Sequence, residues 1–555
     1  MLQSFRQSMA WLHTWFGLVL GFVLMAAFFF GALSVFDREI DRWTIPATRI
    51  AAQPMPSFER VLRPAFERMQ PTREAVDAMR PRVNGDMPQR FDTVASWSAY
   101  TTHRDPVLAL YAGYQVPNAK DPDEAIWAYG TIDPRNGRAL PDDQLKIGSG
   151  FFFPLHYGLT LEWKNLGIWI VGFSALVMLA ALVSGVVMHR KLFREFFTFR
   201  PDKARLRSVL DLHNLTGVVA LPFHFFFAFT GLLIFAGTYY FPLGHTQLHQ
   251  LHDLHEQVEA QQTGLPHKRA GVPAGLASVD AMVAQAQRRW EAEGKAGEVG
   301  FLVLQHVGDA NGYVSVYRAG TDRIALVGDG IHFKASTGEL IREDPPATTV
   351  GRVSEFLTGL HLQHFRHWLL RWLYLLGGLA GATCIATGFV FFVEKRKRQH
   401  ARQGSQGARI VDALAVTTVT GMVLATLAIL VANRLLPEDL PARGDWERYV
   451  FWGSWALALL HAGWRSAPVA RGLANPAWRE QCGAIAVLAL AAVVLNWITT
   501  GDHLLRTIAA GYWPVAGIDL FLLASAAVAL LAARALKRRT ATARDGATAT
   551  EAARV

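Results

Sequence analysis

Eight stretches of the chain are apolar enough to read as membrane-spanning helices, and polar segments of very unequal length separate them. The first, Gln7 to Phe36, has no charged residue and begins after Arg6. Its apolar region is too long for a signal peptide and lacks a small-x-small cleavage site, so it reads as an uncleaved helix. The second, Asn165 to Met188, runs into His189-Arg190-Lys191. The third, Leu210 to Gly244, is uncharged between Asp211 and Asp253. The fourth, Trp372 to Val393, ends in EKRKRQHAR. Ala413–Ala432, Tyr449–Trp464, Cys482–Thr500 and Thr507–Ala533 follow, of which Tyr449–Trp464 is short and aromatic.

The two long polar segments alternate apolar and polar positions between turn signals, as half-buried strands do. PVLALYAGYQV and AIWAYGTIDP read as strands in one; GFLVLQHV, GYVSVYRA and ALVGDGIHFKAS in the other. Ser57–Met69 and Ala274–Arg289 read as helices. The pattern predicts an all-α polytopic membrane protein of about eight transmembrane helices, with two α+β modules inserted in a duplicated helix-pair unit. Its segments are helix 1–36, α+β module 37–155, helix 156–191, basic loop 192–209, helix 210–244, α+β module 245–360, helix 361–394, basic loop 395–409, four-helix membrane module 410–536 and a disordered basic tail 537–555.

Composition agrees. Of 555 residues 51% are hydrophobic and 18% charged, as expected of a chain embedded in a lipid bilayer. The net charge of +10 points to basic loops rather than to nucleic acid, since no basic-aromatic module or zinc-finger spacing is present. Clusters at 190–207, 395–402 and 537–539 are separated by even numbers of spans, so they share one side. The positive-inside rule makes that side cytoplasmic. Both chain ends are then cytoplasmic, and both modules face the periplasm of a bacterial inner membrane.

The first four spans are two copies of one unit. His13-x-x-x-Gly17 and FFFGALSVF in the first span are matched by His213-x-x-x-Gly217 and FTGLLIFAG in the third. Leu155-His156-Tyr157 before the second is matched by Leu360-His361-Leu362 before the fourth. Ser184-Gly185 and Thr387-Gly388 close the second and fourth. The two copies share one topology, which places His13 and His213 near the cytoplasmic face and His156 and His361 near the periplasmic face.

Histidines inside a membrane are costly and usually functional. A b-type haem needs two neutral imidazoles, an apolar slot and small residues beside the macrocycle. His13, Gly17 and Gly21 share one helix face; His213 and Gly217 repeat that geometry. His224 follows His213 by eleven residues, about 16 Å along one straight helix face, with Ala228 a turn beyond it. His189 competes at the inner depth. His13, His156, His189, His213, His224 and His361 thus stand for the four axial positions of two b-type haems. His245, His249, His252 and His255 form a further run, readable as a metal-binding face or a solvated helix. The two cysteines, Cys384 and Cys482, lie in apolar stretches, and no C-x-x-C-H is present, so covalent c-type haem is excluded.

LHTWFGLVLG, LHYGL, SGVVMHRKLFREFFTFRP, DLHNLTGVVALPFH and LHLQHF, joined to the α+β modules, resemble the PepSY-associated transmembrane family over about Met1 to Arg402. The resemblance implies an iron-regulated inner-membrane protein of the di-haem type. Such a protein reduces a ferric siderophore or another ferric chelate in the periplasm for iron uptake. It also implies the same six histidines as haem-iron ligands. The chain has no Rossmann G-x-G-x-x-G and no P-loop, so its electrons would come from a quinol or a separate cytoplasmic reductase. Two other classes compete. One is a non-enzymatic PepSY sensor or protease regulator; the other is an iron or siderophore transporter component using His224 and Asp519.

Overall fold

A computed structural model of the chain describes residues 4–101, 105–120, 124–141, 144–188, 200, 205–235, 264–295, 297–326, 329–402, 406–471 and 473–552. His189 and the 245–255 histidine run lie outside the described residues. The chain forms two compact units, Met1–Pro46 with Asp143–Leu232 and Leu369–Val555, and Ala47–Asp142 with Leu233–Trp368.

The first unit holds the membrane helices. Its elements include α1 (Phe5–Val19), α2 (Gly21–Ser34), α3 (Asp37–Thr44), α4 (Phe153–Gly158), α5 (Leu166–Met188), α6 (Arg205–Val219), α7 (Leu221–Ile234), α8 (Trp368–Arg402), α9 (Gln406–Val416), α10 (Met422–Leu435), α11 (Arg443–Trp464), α12 (Ala477–Thr500) and α13 (Trp513–Ala552), with a short helix Leu504–Ala509 between the last two. Five helical stretches among the described residues have the length and apolarity to cross a bilayer: Trp163–Met188, Trp368–Arg396, Gly407–Leu435, Ala477–Thr500 and Trp513–Arg538. Two bent pairs, α1–α2 and α6–α7, raise the number to seven. The protein is therefore a multi-pass membrane protein.

Three expectations change here. The first and third spans are not straight: α1 and α2 meet at 64°, and Leu206–Val219 meets Leu221–Ile234 at 61°. Pro222 in the first turn of α7 accounts for the second bend. At the first bend the Phe389 ring packs so close to Gly21 that an added Cβ would lie 2.9 Å from it. The sixth span, Tyr449–Trp464, is helical within α11 but is not among the apolar spans. Arg443, Asp445, Glu447 and Arg448 crowd its first two turns. The helix α13 continues to Ala552, past Lys537, where a disordered tail was expected; its alanine- and arginine-rich sequence favours helix.

The membrane unit also reaches further into the polar segments than their composition suggests. α3 carries five charged residues in its eight (DREIDRWT) yet buries Asp37, Glu39, Asp41 and Arg42. Charges can be buried this way only when they are paired or hydrogen-bonded. The first polar module therefore begins after Pro46, not at Asp37, and ends before Asp143, not at 155.

Among the described residues the second unit contains one sheet. β1 (Val94–Tyr100), β2 (Leu108–Gln115) and β3 (Ala125–Ile132) come from the first polar segment; β4 (Val299–Gln305), β5 (Tyr313–Arg318), β6 (Gly330–Lys334) and β7 (Leu340–Glu343) come from the second. The strand order is β3-β2-β1-β4-β5-β6-β7, every neighbouring pair antiparallel. The expected pair of separate modules is thus one seven-stranded sheet, fused where β1 pairs with β4 from Ser96↔Gln305 to Tyr100↔Phe301. One apolar core serves both halves, with Trp97, Phe58 and Phe66 from the first and Met282, Trp290, Val314 and Phe333 from the second. Helix starts are capped reciprocally. Glu59 accepts from the Val279 amide (2.7 Å), and Asp280 accepts from the Phe58 amide (2.6 Å) and the Ser57 hydroxyl (2.5 Å).

Candidate functional site

His13 on α1 and His213 on α6 each stand seven residues before the bend in their helix pair, at Leu20 and Ala220. Their ring centres are 6.2 Å apart and their planes cross at 81°. His13 Nδ1 donates to the Ala181 carbonyl of α5 at 2.9 Å, and His213 Nδ1 donates to the Cys384 carbonyl of α8 at 2.8 Å. Ser184 Oγ and Thr387 Oγ1 occupy corresponding places one turn on, each donating to that same carbonyl at 2.9 Å. The duplicated unit of the sequence is thus a duplicated geometry.

A carbonyl inside a helix already accepts from the amide four residues later, so a side chain can reach its second lone pair only if little stands in the way. Here the residue four positions on is glycine. A Cβ on Gly185 would lie 3.3 Å from the His13 ring, and one on Gly388 would lie 3.4 Å from the His213 ring. The same device holds two more histidines. His156 on α4 donates from Nδ1 to the Ala27 carbonyl of α2 at 2.8 Å, and a Cβ on Gly31 would lie 2.7 Å from that ring. The Gly377 backbone lies beside His224 on α7, and a Cβ on Gly381 would meet the Phe28 ring at 2.2 Å and His224 Nε2 at 3.1 Å. Four histidines therefore rest on four segments of the form small-x-x-x-Gly: AFFFG, ALVSG, GGLAG and CIATG.

The bend between α6 and α7 removes the straight face that was to carry His213 and His224 at 16 Å. His224 instead turns towards α2 and α8. It is 2% exposed and meets the Phe28 ring edge-on at 5.5 Å. Its Nε2 is buried with no partner among the described residues. His361 lies near the end of the Thr349–Leu362 helix in the second unit, whereas His156 lies in the first. The small residues expected beside the macrocycle also differ. Phe389 fills the space at Gly21, a Cβ on Gly217 would lie 3.2 Å from Cys384 Sγ, and Ala228 is buried. A Cβ on Gly17 would meet nothing outside its own helix backbone within 4 Å.

Residues 10–395 match the family described as the PepSY-associated TM region. The chain belongs to this family. A protein of Pseudomonas aeruginosa, itself described as uncharacterized, is 28% identical over 374 residues, covering 64% of this chain and 86% of that protein. The family region ends within α8, so the helices from α9 onward lie outside it.

A b-type haem, which the sequence leads one to expect, requires two imidazole ligands with free ring nitrogens. Two imidazoles on one first-row metal, with bonds of about 2.0–2.1 Å and about 1.1 Å from each nitrogen to its ring centre, hold their centres about 6.3 Å apart. A direct N–H···N hydrogen bond of about 3 Å would hold them about 5 Å apart. The observed 6.2 Å between His13 and His213 is long for a direct hydrogen bond; it suits the first arrangement and lies equally within the range of about 4.5–7 Å for an edge-to-face ring pair. Donation from Nδ1 to a carbonyl fixes the neutral tautomer with the Nε2 lone pair available, the arrangement in which histidine ligates metal. The partnerless Nε2 of His224 fits the same need. No cluster of three or more His, Cys, Asp or Glu among the described residues suits a metal ion held by side chains alone.

Proposed function

We propose that this PepSY-associated protein is a b-haem oxidoreductase of the bacterial inner membrane. It passes electrons across the bilayer and reduces a ferric chelate, a ferric siderophore in the first instance, in the periplasm for iron uptake. The single observation that carries this reading is the 6.2 Å spacing of His13 and His213, with each Nδ1 tied to a backbone carbonyl. His13 and His213 would together hold one haem. His156 and His224 are proposed as ligands towards a second. A haem bound at these histidines supplies a one-electron iron couple inside the membrane.

The protein's own residues do the rest. The carbonyls of Ala181, Ala27 and Cys384 hold the imidazoles in register, and the glycines leave room for the rings to reach them. Phe28, Phe227 and Tyr374 pack beside His224 and its helix, keeping water from this depth of the bilayer. Ferric iron is the substrate: one electron converts it to the ferrous state, which siderophores hold far less tightly. The donor is a quinol or a cytoplasmic reductase.

An absorption spectrum of the detergent-purified protein tests this. A Soret band and a sharp dithionite-reduced α band of b type are expected. A colourless preparation from cells well supplied with haem would remove the proposal.

A further inference from the structure

The geometry points to the helices beyond the family region, α10 to α13, as a brace that positions His156 through the buried charged helix α3. On one side α3 organises the turn that leads into α4. The Asp41 carboxylate accepts from the Gly148 amide (2.7 Å), the Ser149 amide (3.2 Å) and the Ser149 hydroxyl (2.5 Å). The fit is close: a Cβ on Gly148 would fall 2.0 Å from the Asp37 carbonyl oxygen. That turn, Ile147–Phe152, continues directly into α4, where His156 sits seven residues after Ser149.

On the other side the C-terminal helices hold α3. Trp43 Nε1 donates to Asp519 Oδ1 of α13 at 2.8 Å, and Asn496 of α12 donates to the same carboxylate at 3.4 Å. Arg434 of α10 donates to the Thr44 carbonyl at the end of α3, and its guanidinium lies 5.4 Å from the Trp43 ring. Arg434 is itself oriented by Asn433 Oδ1 (2.5 Å), whose amide donates to Glu447 of α11 at 2.8 Å. On a third side Arg371 of α8 pairs with Glu39 at 2.8 Å and lies 4.4 Å over the Phe36 ring. Trp43 and Asp519 are both at most 1% exposed, so losing their bond strands polar groups away from water.

A rigid link from Asp519 to Trp43, along α3 to Asp41, and on to the α4 turn thus sets where the His156 ring lies on Ala27 and Gly31. The four C-terminal helices act on the histidine site without supplying a ligand to it. His156 as a haem ligand rests on the function proposed above; the brace itself does not.

Hydrogen exchange of the full-length protein in detergent separates the two. Asp519→Ala should speed exchange of the 147–158 amides about tenfold, while Asp519→Asn, which keeps an acceptor for Trp43, should restore the wild-type rate. Asp41→Ala should speed exchange of the Gly148 and Ser149 amides at least as much. Unchanged exchange over 147–158 in Asp519→Ala overturns the brace. So does an increase spread equally over α1 and α5, which would report general loosening. In haem-loaded protein, Asp519→Ala should shift the midpoint potential of the component that His156→Ala removes and leave the other component in place. A protein without haem would end the ligand reading, and the exchange result would still decide the brace.

Discussion

The imidazole planes of His13 and His213 cross at 81°, with ring centres 6.2 Å apart. The two rings come from corresponding positions of a duplicated unit, and each is locked by its own carbonyl. If the two together hold one haem, either alone is insufficient. His13→Ala and His213→Ala should each lower the haem-to-protein ratio from two to one, and the double variant should lower it no further. Measuring haem by its reduced spectrum against protein mass checks this. Independent losses from the two variants would refute the pairing.

The glycines four residues beyond each acceptor carbonyl should be intolerant of side chains in the order of their clearances. Gly31→Ala, whose new methyl would lie 2.7 Å from His156, should destabilise by about 1–3 kcal/mol through overpacking. Gly185→Ala, at 3.3 Å, should cost less, and Gly17→Ala, with nothing within 4 Å, should be near neutral. Melting temperatures of the detergent-solubilised variants give the ranking.

In the second unit, Trp97 of β1 stacks on Phe66 with ring centres 5.2 Å apart and planes 8° from parallel, and it is 6% exposed. Trp97→Ala should remove about 3–5 kcal/mol from a core that both polar segments share. Because the sheet is continuous, protease sensitivity should rise in β4 and β5 as well as in β1. Cleavage confined to the first segment would contradict a shared core.

Two carboxylates make this unit acid-sensitive. The Arg135 guanidinium, forked onto Asp133 at 2.7–3.2 Å, holds the Asp133 carboxyl below the usual range against a smaller opposing effect of burial. Burial pushes Asp309 up, but the amides of Asn311, Ala270 and Gly271 and the charge of Arg269 outweigh it and hold its carboxyl low. A depressed folded value means the stabilisation is complete above the unfolded carboxylate value of about 3.9 and is lost as pH falls through the lower folded value. Stability should thus fall with acid below about pH 4, and Asp309→Asn should flatten that fall. A denaturation series across pH 2–5 would show no difference between the two proteins if the amide cage were unimportant.

Much of this was written in the residues. The repeat around His13 and His213, the apolar spans, and the strands GFLVLQHV and GYVSVYRA follow from periodicity, which reports burial directly. The sequence pattern did not show the bend at Leu20, beside which Phe389 of another helix closes against Gly21. Nor did it show the fusion of β1 with β4, because strand pairing across distant segments leaves no trace in local pattern. α3 misled for a physical reason: DREIDRWT has the composition of a solvated loop, and only its partners Arg371, Asp519 and Arg434 make it part of the membrane unit. The acceptor segments ALVSG and CIATG were visible as repeated glycines, yet their purpose depends on which histidine faces them.

The fused sheet also sets a clock on synthesis. β1 ends at Tyr100 and its partner β4 begins at Val299. At about 5–20 residues per second, the nascent β3-β2-β1 ribbon waits roughly 10–40 s with an open edge before its neighbour is made. An unpaired edge of that lifetime invites mispairing with other chains. Production of this protein should therefore respond to translation speed between those two strands.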